Sequence, residues 1–484
     1  MERVTSKQFI GNAIWKFMEI VAGKGVSLAV SLLLARLLMP EHYGIIALTT
    51  VFIAFAEIFI QSGFNIALIR KSEVTKEDYS TVMYLSLLFA TFLYLVLFTV
   101  APFIAVFYEL PELKSIIRVI TVLFFFEAVT VVERAMATRT MQFKLMSISA
   151  VISSVISGGI GVGMAYFGLG VWALVAQQVL FYLSDMMFMT IFLKWKFSFI
   201  FSKSIAKEQM KFSMGVLGSS FLDFAGNNIS SLIVGKAFST EALGYYKKGG
   251  ALPEQVCLYT YSTVSSVLLP TLASLQTNLE EMKVVVRKIV SITAFMVFPL
   301  MGGLFSVASP LVSFLLTDKW LPCVTVLQFS CIYYSCNPLR SISGNVLYAV
   351  GKSTLLLRIE TFRCSLMLIT TVLIIFIFRF DIYALAASNA AIAVIIAVIT
   401  HMGAQKYINY KLGELIMDIF PAGILTVIMM LSVYLAGSLP ISGVQLLFAE
   451  VFIGFFVYTV SSILFRVKSL YEIVRLVVSL LKKK

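Results

Sequence analysis

The residues with chemistry to offer sit where charge is expensive, inside long apolar runs. Lys24, Ser27 and Ser31 share one helical face of the first run, and Glu57, Gln61 and Asn65 form a stripe on the second. Glu127, Thr130, Arg134 and Thr138 share a side of the fourth, and Ser219, Asp223 and Asn227 share one of the seventh. Lys247, Glu254 and Tyr261 continue one face into the eighth, and the tenth holds Asn337, Pro338, Arg340, Ser341 and Asn345. Spacings of three and four put residues on one side of a helix. Ionisable groups in a membrane span face a partner, the bundle interior or a water-filled cavity. The chemistry these stripes offer is binding. The bases Lys24, Arg340, Lys247 and Arg134, with Asn227, suit a phosphate or an acidic sugar, because the planar Arg fork donates two hydrogen bonds at once. The acids Glu57, Asp223 and Glu254 would line the same cavity, pair with these bases or carry a coupling ion. Each also has a structural reading as a pair that ties two spans together. On that reading Glu127 and Glu133 pair with Arg134.

Bond-making chemistry has no constellation to carry it. There is no GxxxxGK[ST] phosphate loop and no HExxH zinc motif. No DxD pair or acidic external loop speaks for a glycosyltransferase, so an enzyme is not expected. Cys257, Cys323, Cys331, Cys336 and Cys364 lack CxxC spacing and mostly fall in apolar runs, where cysteine behaves as a small hydrophobe. His42 and His401 are far apart, and neither a metal nor a cofactor is implied.

The elements that hold these side chains follow from composition. Of 484 residues, 60% are hydrophobic and only 13% are charged, and the mean hydropathy is +0.95. Soluble domains are about one quarter charged, so the expected class is an all-α polytopic membrane protein. Runs of about 20 apolar residues fall at 11–38, 44–68, 80–107, 114–137, 145–167, 170–193, 211–235, 250–272, 285–308, 322–349, 355–378, 382–404, 415–436 and 442–465, which is fourteen spans. The first is too long for a cleavable leader, contains Lys24 and lacks a small-residue cleavage site. The formal net charge of +13 reflects basic cytoplasmic loops, not a nucleic-acid partner. With the N-terminus in the cytoplasm, most basic residues fall on that side, Arg358 and Arg363 among them, and both termini are cytoplasmic. The tail Lys482-Lys483-Lys484 suits anionic lipid headgroups.

The spans repeat. Arg36, Glu41 and Gly44 at the exit of the first recur as Lys236, Glu241 and Gly244 at the exit of the seventh. Gly170-Val171-Trp172-Ala173-Leu174, opening the sixth, is matched by Asp381-Ile382-Tyr383-Ala384-Leu385, opening the twelfth. Gln178 and Asn389 match across the same two spans. The expected organisation is a lobe over 1–193, a cytoplasmic linker at 194–210, a second lobe over 211–405, and an appended pair with a basic tail at 406–484. Six is even, so the lobes enter from the same side and are related by an axis along the membrane normal. Such lobes would enclose a hydrated cleft and expose it to alternate sides by rocking. Pro338 in the tenth span, and Gly215 with Gly218 opening the seventh, are the expected breaks.

The segment from Leu33 to Gly44, aliphatic then Ala-Arg-Leu-Leu and Pro-Glu-x-Tyr-Gly, resembles the motif closing the first helix of polysaccharide flippases. Leu311–Leu327, with Asp318-Lys319-Trp320, is similar to the stretch before the tenth helix in Wzx-type exporters of the colanic-acid or teichuronic-acid kind. Phe212-Ser213 and Gly244-Tyr245-Tyr246 are similar to that branch too. The group belongs to the multidrug/oligosaccharidyl-lipid/polysaccharide exporter superfamily. The resemblance implies two six-helix lobes related by a pseudo-twofold axis, often with two further helices. It implies a bacterial inner-membrane flippase for surface polysaccharide biosynthesis. The substrate would be an undecaprenyl-diphosphate-linked oligosaccharide, with membrane lipids, a polymerase and glycosyltransferases as partners. A basic residue of the first helix acts in such cavities, and Lys24 is placed for that role. Rival readings are a multidrug/cation antiporter on the same fold, a membrane glycosyltransferase or polymerase, and a transport-inactive partner of a synthase complex.

Overall fold

The computed structural model describes residues 25–61, 64, 68–69, 71, 74–195, 198, 200–438, 443–472 and 475. They are helical almost throughout. In chain order the helices are α1 (Gly25–Leu37), α2 (Pro40–Gln61), α3 (Lys76–Tyr108), α4 (Pro111–Ile120), α5 (Leu123–Arg139), α6 (Phe143–Tyr166), α7 (Val171–Leu193) and α8 (Lys203–Ala237). They continue as α9 (Thr240–Ser274), α10 (Leu279–Ser306), α11 (Ala308–Leu316), α12 (Cys323–Ala349), α13 (Ser353–Val372), α14 (Ile382–Ile408), α15 (Leu412–Ala436) and α16 (Val444–Leu464). Counting α4 with α5, and α13 with the π turn that follows it, ten of the described helices are long and apolar enough to cross a membrane. Helices α8, α9 and α12 match the length but carry more polar residues, which is where several of the expected site residues lie. A described helix overlaps each of the fourteen expected spans, the first only from Gly25 because 11–24 lie outside the described residues, and the protein is a multi-pass membrane protein.

The chain divides into two compact units, Met1–Gly244 and Tyr245–Lys484. Helix α8 begins at Lys203, inside the stretch expected to be linker, and packs on α2 and α3 of the first unit. In that unit Ile116, Ile117, Ile120, Leu123, Phe124 and Ala128 are fully or nearly fully buried, against Ile53, Ile60 and Leu97. In the second, Leu268, Leu272, Met282, Val286, Ile342, Val346 and Ile396 form the corresponding core. Apolar side chains facing outward, such as Phe103, Val106 and Phe107 on α3, suit lipid.

The repeated motif has a structural use. The starts of α2 and α9 meet backbone to backbone. A Cβ on Gly44 would lie 1.7 Å from the Thr240 carbonyl oxygen, and one on Gly244 would lie 2.1 Å from that of Pro40. The approach is reciprocal, so both glycines are required by space. The second repeated motif reaches one end by two routes. Gly170 precedes α7 with φ +54, which L side chains rarely adopt. Asp381 instead caps α14, its carboxylate accepting from the Tyr383 and Ala384 amides at 3.0 and 3.1 Å.

The expected breaks are not breaks. Helix α8 runs through Gly215 and Gly218, and α12 runs unbroken through Pro338. A proline leaves the carbonyl four residues earlier without its helical donor. Here that carbonyl belongs to Tyr334, and Cys257 of α9 donates its thiol to it at 3.3 Å. The cysteine is thus more than a small hydrophobe.

The appended helices are fastened by charge. Arg287 of α10 donates to both carboxylate oxygens of Asp418 on α15, each at 2.8 Å, and Lys283 pairs with Glu414 at 2.9 Å. Tyr410, between α14 and α15, donates to Asp418 at 2.7 Å. Burial, with help from that carboxylate, holds its phenol above the usual range.

Candidate functional site

In the first unit, α2, α5, α6 and α7 bring polar stripes into one network. Tyr182 of α7 donates to Glu57 of α2 at 2.9 Å. Gln61, one turn after Glu57, donates to Glu127 of α5. Glu57 and Glu127 are close enough to interact directly. Thr190 of α7 donates to Glu133. Arg134 pairs at 2.8 Å with Asp185 of α7, whose other oxygen accepts from Ser149 of α6 at 2.7 Å. Arg134 therefore does not take Glu127 or Glu133 as its ion-pair partner, as the sequence suggested. Helical rotation carries it toward α7, where Asp185 is buried and better placed. Four carboxylates stand around one guanidinium, and Asp185 is the one paired with it. The second oxygens of Glu127 and Glu133 are buried with no hydrogen-bond partner. A pocket lined by Ser27, Val30, Ser154, Gln177, Gln178 and Phe181 opens beside Tyr182. Such a site suits protons or a small cation.

In the second unit the balance is reversed. Arg340 of α12 donates to Glu360 of α13, and its other terminal nitrogen donates to Asn337 at 3.0 Å. Arg363, one turn after Glu360, donates to the second carboxylate oxygen at 2.7 Å. The sequence places Arg363 among the cytoplasmic loop residues, but only 7% of it is exposed. Its pairing with Glu360 makes that burial tolerable. Two guanidiniums share one carboxylate, an arrangement suited to an anion.

The other expected residues divide. Glu254 stands two turns after Lys247 on α9, and it is exposed with the Tyr334 hydroxyl near it. Lys24 lies outside the described residues, as do the side chains of Asp223 and Asn227. Asn389 of α14 donates to the Tyr246 hydroxyl at 2.8 Å. The motifs singled out near Gly244 and Asp318 belong together. The Tyr245 ring meets the buried Trp320 edge-on, and its hydroxyl donates to the Lys319 carbonyl at 3.1 Å. Sequence reasoning missed Tyr182, Asp185 and Glu360. An ionisable residue in the middle of an apolar run was the available signal for Asp185 and Glu360. Glu360 also stands one turn before Arg363, at a pairing distance.

Among the described residues no group of three or more His, Cys, Asp or Glu is arranged to hold a metal ion. The family described as polysaccharide biosynthesis protein matches residues 33–325. Teichuronic acid biosynthesis protein TuaB of Bacillus subtilis (strain 168) is 27% identical over 306 residues, 62% of this chain and 63% of TuaB. The match thus spans somewhat under two thirds of that relative's length. Lipopolysaccharide biosynthesis protein WzxC of Escherichia coli (strain K12) is 20% identical over 365 residues, 74% of this chain and 73% of WzxC. The solved structure of lipid II flippase MurJ in an inward closed conformation superposes with TM-score 0.75 at 15% identity, covering 94% of this chain and 99% of that one. The fold is that of MurJ, and by the match over more than half its length this chain belongs to the polysaccharide biosynthesis protein family.

Proposed function

We propose that the protein is a flippase that moves a lipid-linked oligosaccharide across the bacterial cytoplasmic membrane for surface polysaccharide biosynthesis. The carrier would be undecaprenyl diphosphate, and the cycle alternating access. The observation that carries this reading is the charge inside spanning helices of a family tied to polysaccharide biosynthesis. A charged headgroup needs such partners to leave water. Arg340 is the residue best placed to hold the diphosphate, with Lys24, Lys247, Arg134 and Asn227 as the further sequence candidates. Glu57 and its carboxylate neighbours would bind the coupling proton or cation, with Asp223 and Glu254 as candidates of the same kind. The basic loops would face the cytoplasm, and both termini with them. A polymerase and glycosyltransferases would make and use the cargo.

The test is reconstitution into liposomes with undecaprenyl-diphosphate-linked oligosaccharide and an assay of its accessibility in each leaflet. Protein-dependent exchange that is lost in Lys24→Ala and Arg340→Ala is expected. Exchange at the protein-free rate would overturn the reading. The acid-rich network of the first unit favours a second reading, a cation or drug antiporter. That reading requires proton-driven drug uptake by the same liposomes, with no movement of the lipid.

A further inference from the structure

The second-unit triad stands deep in the membrane. Arg340 lies ten residues before Val350, and Arg363 lies ten after Ser353, where α13 begins. At about 1.5 Å per residue each is roughly 15 Å along its helix, near the middle of a hydrocarbon core about 30 Å thick. An arginine stays ionised there. Two guanidiniums against one carboxylate leave a standing excess of positive charge.

The hydrogen bonds of the triad are as incomplete as its charge. Glu360 gives one oxygen to each arginine, so neither fork is engaged in the two-pronged way it favours. Arg363 spends a terminal nitrogen on the Met367 sulfur at 3.4 Å, a weak acceptor. Tyr333, Asn337, Arg340, Arg363 and Met367, with three apolar residues of α14, border a narrow pocket with room for no more than a water molecule. Arg363 is buried, whereas about a quarter of the Glu360 and Arg340 side chains remains accessible (24% and 26%). Both arginines border this pocket, and Glu360, which ties them together, stands outside its lining.

We propose that Glu360 is a built-in counter-anion that holds Arg340 and Arg363 together until the diphosphate of the lipid carrier displaces it. This rests on the flippase reading and adds to it a second anion-binding residue, Arg363, and a release device. A diphosphate offers enough oxygens to engage both forks. When Glu360 returns, it competes the headgroup off. Without that competitor the site would bind too well to turn over.

The test is binding to the full chain in nanodiscs, with undecaprenyl diphosphate, undecaprenyl monophosphate, undecaprenol and inorganic pyrophosphate as probes. Glu360→Gln keeps the shape and one acceptor while removing the charge. It is expected to tighten undecaprenyl diphosphate binding about tenfold and to slow leaflet exchange. Arg363→Ala is expected to weaken binding by a similar factor. If Arg363→Ala does not fold, Arg363→Lys keeps the charge without the fork and is expected to lose the preference for diphosphate over monophosphate. Unchanged or weaker binding by Glu360→Gln, with a wild-type protein that does bind, overturns the counter-anion and leaves the flippase reading standing. So does equal binding of inorganic pyrophosphate and the lipid, which would assign the site to a soluble anion. No diphosphate-lipid binding by any form would overturn both.

Discussion

The acidic network of the first unit and the basic triad of the second are built on comparable positions and end with opposite charge. Arg134 and Arg340 both fall on the fourth helix of their six-helix repeats. Arg134 finds its acid on the sixth helix, as Asp185, while the fifth contributes only the Ser149 hydroxyl. Arg340 finds its acid on the fifth helix, as Glu360, which brings Arg363 with it. Around Arg134 stand three further carboxylates, of Glu57, Glu127 and Glu133, and around Arg340 a second guanidinium. A helical repeat fixes where side chains stand and leaves their charge free to diverge. One fold can then hold an acid-rich cluster in one half and a base-rich cluster in the other.

The largest effect should come from breaking the backbone contact between the two copies of the repeated motif. Gly44→Val or Gly244→Val forces side-chain atoms into the backbone of the opposite motif, where even a Cβ would come within 1.7 or 2.1 Å of an oxygen. Loss of folded protein is expected in both, read as membrane abundance and as monodisperse elution in detergent. Normal yield from either would mean that the reciprocal contact does not exist.

The next experiment separates the two clusters. Asp185→Asn removes the carboxylate that Arg134 pairs with, and Glu360→Gln removes the one that Arg340 and Arg363 share. Each is expected to lower stability by about 2–4 kcal/mol, read as a fall in melting temperature. Undecaprenyl diphosphate should recover more of the loss in Glu360→Gln than it adds to the wild type, because a ligand stabilises the form that binds it best. Asp185→Asn should gain no more than the wild type gains. Equal recovery would erase the distinction between the halves.

A smaller effect belongs to the motif common to the branch. Tyr245→Phe keeps the ring against Trp320 and removes the hydroxyl from the Lys319 carbonyl. A cost of about 1 kcal/mol is expected, again as a melting shift, with binding of the diphosphate lipid unchanged. The smallest effect is at the surface. The Lys236 ammonium, hydrogen-bonded to Glu109 at 2.8 Å, holds that carboxyl below the usual range. A depressed carboxyl contributes above its unfolded pKa, and the contribution disappears as pH falls through the folded value. Glu109→Gln should therefore matter slightly at neutral pH and not at all in strong acid, since exposed pairs contribute little.

Much of this architecture was legible before any coordinates. Apolar run length is set by membrane thickness, so helices stand at each expected position. The Gly44 and Gly244 repeat was visible as spacing because backbone contact tolerates no other residue. Arg340 and Glu57 were legible because an ionisable group inside an apolar run is rarely idle. Their partners were harder. Asp185 stands 51 residues from Arg134 and Glu360 20 residues from Arg340, each on another helix, and only the rotation of each helix decides which acid an arginine meets. Glu133 is beside Arg134 in sequence but bonds to Thr190 instead. Pro338 shows the same limit. Local rules read it as a break, whereas the Cys257 thiol satisfies the freed carbonyl and the helix continues. Arg363 resembled a loop cation because charge is the strongest signal for a loop, and its burial follows from Glu360.

The opposed roles of the two halves can be tested in one assay, leaflet exchange of undecaprenyl-diphosphate-linked oligosaccharide in proteoliposomes with and without an imposed pH gradient. Arg340→Ala is expected to slow exchange about tenfold or more under every gradient, because the headgroup loses its partner. Glu57→Gln is expected to keep exchange without a gradient and to lose the acceleration that a gradient gives the wild type. If both variants change rate and gradient response in the same proportion, or if Arg340→Ala exchanges lipid at the wild-type rate, the division of labour between an acidic and a basic half is wrong.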